Sequence, residues 1–210
     1  MRTITRNDFI NIFENISQVM IENEEKLCEM DAQMGDGDLG LTMRKGWIAL
    51  SEAAKEMDET DIGKLCMKCG MKLSSTVPST MGTLLASALL SAGKAVSGKE
   101  ELSMNDFSSF LQGFCEGIQK RGKCQPGDRT VLDSLYPAAQ TAKKHQELTD
   151  FALDEILLAS NEGLANTKKM PAKFGKAAIF VAKSGDAVDQ GALVGNLIIQ
   201  CFCSYLRSYP

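Results

Sequence analysis

Apolar residues recur at three- and four-residue spacing through almost all of this chain, and strict polar–apolar alternation is nearly absent. That period gives a helix one continuous apolar stripe, so most of the chain must form helices that bury one face against one another. Phe9, Ile12, Phe13, Ile16, Val19 and Met20 set the pattern in the first segment. Eight helical segments follow from it, at about residues 8–29, 41–57, 61–73, 83–96, 105–122, from beyond 128 to 146, 149–168 and 192–206. Thr5 or Asn7, Ser103 or Asn105, and Thr149 stand where N-caps belong. Residues 74–82 form a breaker carrying Pro78, and Pro126-Gly127-Asp128 is turn chemistry. Residues 177–181 read as extended, but one such run makes no sheet. The expectation is a single all-α domain over residues 1–210.

Residues 169–191 lack helical periodicity. A structureless loop of that length is usually functional, and it is expected to be a lid over a site. A net charge of −4 gives no footprint for nucleic acid or an anionic membrane. No run approaches the roughly 18 apolar residues of a membrane span, and the N-terminus lacks the apolar stretch of a signal peptide. Seven cysteines, an odd number scattered through helical segments, fit a reduced cytoplasm.

The strongest chemical signal is MDAQMGDGDLGLTM, which brings Asp31, Asp36 and Asp38 together among glycines. Mg²⁺ prefers hard oxygen ligands and is usually held by a few carboxylates plus substrate phosphates. Three aspartates exceed the need of one ion, so two ions are expected. The competing reading is turn chemistry, with Asp38 capping the next helix. An EF-hand fails, because the twelfth position from Asp31 is Thr42 and not Glu. In RGKCQPGDRTVLDSLYP, Arg121, Lys123 and Arg129 are suited to phosphate charge, or they form a solvated basic turn capped by Asp128. SSTVPSTMG leads into a helix whose first amides suit a phosphate. No Walker A motif is present. Cys66 and Cys69 lie inside a helical pattern and read as core thiols. His145, the only histidine, lies in a polar helix end and is expected to be exposed.

Together these elements resemble the L subunit of dihydroxyacetone kinase, the nucleotide-binding partner in the phosphotransferase-dependent form of that enzyme. DAQMGDGDLGLTM is similar to the family's Asp-x4-Gly-Asp-x-Asp-His-Gly-x-Asn-Met, and RGKCQPGDRTVLDSLYP to its Gly-Asp-Lys-Thr-Met-x-Asp. MPAKFGKA is similar to Met-x-Ala-x-x-Gly-Arg-Ala, and VDQGA to Asp-Pro-Gly-Ala. All four occur in the family's order. The resemblance implies an antiparallel barrel of eight α-helices with ADP or ATP at one end. It implies two Mg²⁺ ions on Asp31, Asp36 and Asp38. Phosphates would lie near Thr80, Met81 and Gly82, with Leu39, Gly40, Thr42, Gly122, Val131, Lys176, Asp189, Gln190 and Gly191 around the rest. Lys176 and Arg129 are the candidates for catalytic charge support. The implied partners are a kinase subunit carrying dihydroxyacetone, or a related short ketose, and a phosphohistidine carrier protein of the phosphotransferase system. There is room for a homodimer as well.

The chain departs from the family pattern at several points. Leu39 stands for His, Thr42 for Asn, Met81 for Ser, Val131 for Met, Lys176 for Arg and Gln190 for Pro, while Pro78 and Ser79 replace small glycines. Two readings follow. One is a catalytic phosphoryl-transfer subunit. The other is a regulatory or binding member of the same family that has lost nucleotide.

Overall fold

A computed structural model describes residues 2–33, 35–174 and 187–208. Among these are nine α-helices: α1 (Arg6–Glu22), α2 (Glu24–Ala32), α3 (Leu39–Glu56), α4 (Ile62–Thr76), α5 (Thr80–Ala95), α6 (Met104–Gly122), α7 (Leu132–Ala142), α8 (Asp150–Asn166) and α9 (Gln190–Ser208). Two strands of two residues each, β1 (Ile4–Thr5) and β2 (Glu101–Leu102), pair antiparallel at the end holding the N-terminus. They are too short to leave a periodic trace in sequence. No helix among the described residues is long and apolar enough to cross a membrane.

The eight expected segments are present, with one refinement. The first is interrupted at Asn23, whose side chain donates back to the Val19 carbonyl (2.9 Å), so the chain turns into a separate α2. The expected caps are in place. Thr5 and Ser103 each close a capping box, with Asp8 and Asp106, and Thr149 accepts from the Ala152 amide. The breaker is shorter than expected, since α4 runs on to Thr76. The start of the last helix moves to Gln190. The run 177–181 and most of the expected lid lie outside the described residues.

Eight of the helices form a closed ring in the order α1, α3, α4, α5, α6, α7, α8, α9 and back to α1, with α2 against α3 and α9. Neighbours run antiparallel. The Arg6 guanidinium at the start of α1 donates to Met57 and Glu59 carbonyls just past the end of α3. Asn196, early in α9, donates to Ser160 and Asn161, late in α8. Tyr205, near the end of α9, donates to Asp8 (3.0 Å) and accepts from Asn11 (2.8 Å), which closes the ring. Phe9, Phe107, Phe110 and Phe202 pack ring against ring across that closure.

Small residues set the helix spacing. Gly63 and Gly93 face each other across α4 and α5, and a Cβ on either would lie 2.4 Å from the other's carbonyl oxygen. Pro137 inside α7 cannot donate to the Asp133 carbonyl. Gly163 of α8 approaches that carbonyl so closely that a Cβ would lie 2.2 Å away. All seven cysteines are free; Cys66 and Cys69 are fully buried in the core, where burial pushes the Cys69 thiol up to about 12. His145 departs from its expectation. It is half-buried, with Nε2 2.9 Å from Glu155 and its ring edge-on to Phe151.

The α5–α6 contact is the tightest test of this packing. A Cβ on Gly117 would lie 2.3 Å from the Ser87 carbonyl oxygen and 2.7 Å from Ala88 Cα, both backbone atoms. Gly117→Ala gains about 1 kcal/mol of helix propensity, yet overpacking costs about 1–3 kcal/mol or more. The expected outcome is a net loss, read as a lower urea midpoint. An unchanged midpoint would show that α5 and α6 can separate freely.

Candidate nucleotide and metal site

Antiparallel order sends alternate connections to the same end of the ring. The loops 33–38, 77–79, 123–131 and the ends of the 170–189 connection all meet at the end opposite the two short strands. This places the Asp loop, the start of α5, the turn before α7 and the start of α9 around one opening.

Asp31 is fixed by α2, while Asp36 and Asp38 stand on the loop that follows. One ligand oxygen from each lies within 4.8 Å of the other two. The Asp31 carboxylate organises the loop, because its Oδ2 accepts from the Gly37 (2.9 Å) and Asp38 (3.2 Å) amides. Gly37 has φ +75°, a conformation that favours glycine, and this lets the chain fold back over Asp31. Gly40 allows α3 to start against α2, since a Cβ there would lie 2.0 Å from the Glu24 carbonyl oxygen. Asp38 occupies the N-cap position of α3 but makes no side-chain cap hydrogen bond. Its carboxylate is therefore not consumed as a cap. Three partly exposed carboxylates this close repel one another, and a bound cation would relieve that repulsion.

These aspartates line one wall of a cleft of ≈ 540 Å³. The start of α5 forms another wall with Pro78, Ser79, Thr80 and Met81. Ser79 caps α5 by accepting from the Gly82 amide (3.0 Å), which leaves the first amides of α5 at the cleft. The start of α9 adds Asp189, Gln190 and Gly191, and Gln190 Nε2 donates to Asp31 Oδ1 (3.4 Å) across the opening. A second compartment of ≈ 520 Å³ adjoins the first and shares Pro78, Ser79, Thr80, Leu84, Thr130 and Phe174 with it. Thr83, Arg121, Gly122 and Cys124 complete that compartment.

Of the residues singled out in sequence, the cleft gathers Asp31, Asp36, Asp38, Leu39, Thr42, Thr80, Met81, Val131, Asp189, Gln190 and Gly191. Gly122 lines the second compartment. Gly40 and Gly82 stand behind the walls, where they permit close packing against Glu24 and Val77. Lys176 lies outside the described residues. Arg129 is buried with φ 61°, and its guanidinium donates to the Ala187 carbonyl (2.8 Å) and to that of Met170 (3.5 Å). It braces both ends of the connection before α9. Leu84, Thr130, Thr83, Cys124 and Phe174 were not singled out for the site. Leu84 had a usable signal, lying one turn beyond Thr80 on α5; Thr130 sat between two residues already chosen.

Buried carboxylates build the turn before α7. Asp133 accepts from the Gly127 and Thr130 amides (2.5 and 2.7 Å). Asp128 accepts from the Gln125 amide (2.7 Å) and from Lys173 Nζ (2.6 Å), and the Lys173 bond helps hold its carboxyl below the usual range. Asp189 behaves differently. It caps α9 through the Ala192 amide (2.7 Å), its own amide donates to Thr167 Oγ1 (2.9 Å), and burial pushes its carboxyl up to about 6 against the pull of Ala192 and Arg129.

A carboxyl raised on folding binds its proton more tightly in the native state. Its stabilising contribution is complete below about pH 4 and is lost as pH rises through about 6. Asp189→Asn keeps a good cap without that loss. The variant's stability relative to the unaltered chain is expected to rise between pH 4 and 7, by on the order of 3 kcal/mol. Urea titrations at stepped pH measure it, and a difference independent of pH would contradict the assignment.

A family model, the DAK2 domain, matches residues 33–204. The ADP-binding subunit DhaL of a PEP-dependent dihydroxyacetone kinase from Escherichia coli is 25% identical over 193 residues, covering 90% of this chain and 92% of that one. The corresponding subunit of kinase 1 from Listeria innocua is 30% identical over 177 residues, covering 84% and 85%. Human triokinase/FMN cyclase is 29% identical over 94% of this chain, which spans only 35% of that protein. The crystal structure of the C. freundii dihydroxyacetone kinase shares the fold, with a TM-score of 0.71 at 20% identity over 93% of this chain and 34% of that one. The same enzyme in complex with AMP-PNP and Mg²⁺ gives the same score. With most of its length matched and the helical ring shared, the chain belongs to the DAK2 domain family and is similar to its DhaL subunits over nearly their whole length.

Proposed function

We propose that this chain is the nucleotide-bearing subunit of a phosphotransferase of the dihydroxyacetone kinase type. The observation that carries the reading is the shared cleft. Three convergent carboxylates face it from one side and the start of α5 from another, and a second compartment continues from it. The names of the E. coli and L. innocua relatives, ADP-binding subunits, support the same reading.

The donor set is all oxygen, which suits Mg²⁺. Asp31, Asp36 and Asp38 would hold two such ions. Bound there, Mg²⁺ would offset charge on phosphate oxygens and leave mainly positioning and electrostatics to the protein. The Thr80 and Met81 amides receive a phosphate at the α5 N-terminus. The Gly122 end of the cleft takes the nucleoside. Arg129 supports the site by anchoring the connection before α9. Lys176, on that connection, supplies charge to the phosphates. The acceptor is dihydroxyacetone or a similar short ketose on a partner subunit, and a phosphohistidine carrier recharges the nucleotide. A cytoplasmic setting belongs to the same proposal and suits seven free thiols.

One observation favours a second reading, a family member that holds metal without nucleotide. Met81 and Leu39 place apolar side chains in the cleft, and Met81 Cε lies 3.1 Å from where a Cβ on Gly191 would stand. Calorimetric titration with ADP and ATP, with and without Mg²⁺, separates the two. The expected result is binding that requires Mg²⁺ and weakens at least a hundredfold in Asp36→Ala. No binding at millimolar nucleotide would sink the catalytic reading.

A further inference from the structure

Most of the described phenylalanines are buried in the core. Phe174 is not: it is 38% exposed and lines both the metal-facing cleft and the second compartment. Phe151 is exposed as well, at 66%, but lines neither compartment; of the described phenylalanines it is Phe174 that stands at the cleft. Its position is held by its neighbours. Lys173 is tied twice to Asp128, through its amide to the carbonyl (3.3 Å) and through Nζ to the carboxylate (2.6 Å), and Ala172 is buried. The backbone immediately before Phe174 is thereby fixed to the turn that also carries Thr130.

The rest of the second compartment has a mixed lining, with Thr83, Arg121 and Thr130 beside Leu84 and Gly122, which suits a flat ring with polar edges. Leu84 contributes an aliphatic side chain at the junction of the two compartments. Gly122 contributes none, and a Cβ there would lie 3.0 Å from Leu84 Cδ2 and 3.2 Å from Cys124 Sγ. A nucleotide whose phosphates lie at the start of α5 would extend its base in this direction.

We propose that Phe174 is the aromatic platform on which the nucleobase stacks. The inference rests on the proposed nucleotide-binding role and names the side chain that would contribute to affinity for the base. Stacking on an aromatic face tolerates any base, because every base has a π-face. Phe174 therefore adds affinity for nucleoside diphosphates over inorganic pyrophosphate and discriminates little between ADP and GDP.

The test titrates the chain with ADP, GDP and pyrophosphate in Mg²⁺, alongside Phe174→Ala and Phe174→Trp. Phe174→Ala is expected to weaken ADP and GDP about tenfold, within the range for loss of one stacked base, and to leave pyrophosphate within about twofold. Phe174→Trp is expected to retain ADP affinity, with indole fluorescence quenched by ADP and not by pyrophosphate. Unchanged ADP affinity in Phe174→Ala would overturn the assignment. So would equal losses for ADP and pyrophosphate, which would mean that the ring shapes the connection and does not meet the base. If the unaltered chain binds pyrophosphate but neither nucleotide, the base platform falls while the metal–phosphate site stands. If it binds none of the three, the proposed function falls and this inference with it.

Discussion

Closure of the ring by α9 against α1 is the contact on which the rest of this molecule depends. It joins the two ends of the chain, so its cost in chain entropy is met by burying both faces at once. Tyr205 bridges Asp8 and Asn11, and Phe202 meets Phe9 and Phe110. With the ring closed, every helix in it packs between two neighbours. α9 is buried along nearly its whole length, packed against α8, α7 and α1. Closure also aligns the loops, because an antiparallel ring gathers alternate connections at one end.

The site is a product of that alignment. Its walls come from α2 and the Asp loop, the start of α5, the turn before α7 and the start of α9. Few of these contacts are local in sequence. Gln190 meets Asp31, Arg129 meets Ala187, and Lys173 meets Asp128. The carboxylates divide into two kinds. Asp128, Asp133 and Asp189 are buried and spent on backbone amides, so they build turns and caps. Asp36 and Asp38 are exposed and Asp31 half-buried at the cleft. The first kind shapes the cleft that the second kind faces.

Much of the fold was legible in the primary structure. Helical periodicity identified the helical segments, and the caps at Thr5, Ser103 and Thr149 are local devices that need no tertiary context. The break at Asn23 was not legible, because apolar spacing resumes beyond it at Leu27 and an asparagine inside a helical pattern does not by itself mark a turn. His145 was misplaced for a similar reason. Its neighbours are polar, but Glu155 and Phe151 reach it from the next helix. Arg129 was singled out by its charge, and its bonds to carbonyls 41 and 58 residues away leave no local pattern.

By itself, the sequence determined that the chain is helical, that three aspartates fall together among glycines, and that four short elements follow a family order. These are properties of spacing and residue type within a few turns of chain. The tertiary structure alone decided which groups share a cleft. It set Gly40 and Gly82 behind the walls as packing contacts, and it brought Leu84, Thr130 and Phe174 to the opening. The physical reason is that convergence depends on ring closure and on backbone approaches measured in fractions of an ångström. Such contacts join residues far apart in the chain, and no local pattern records them.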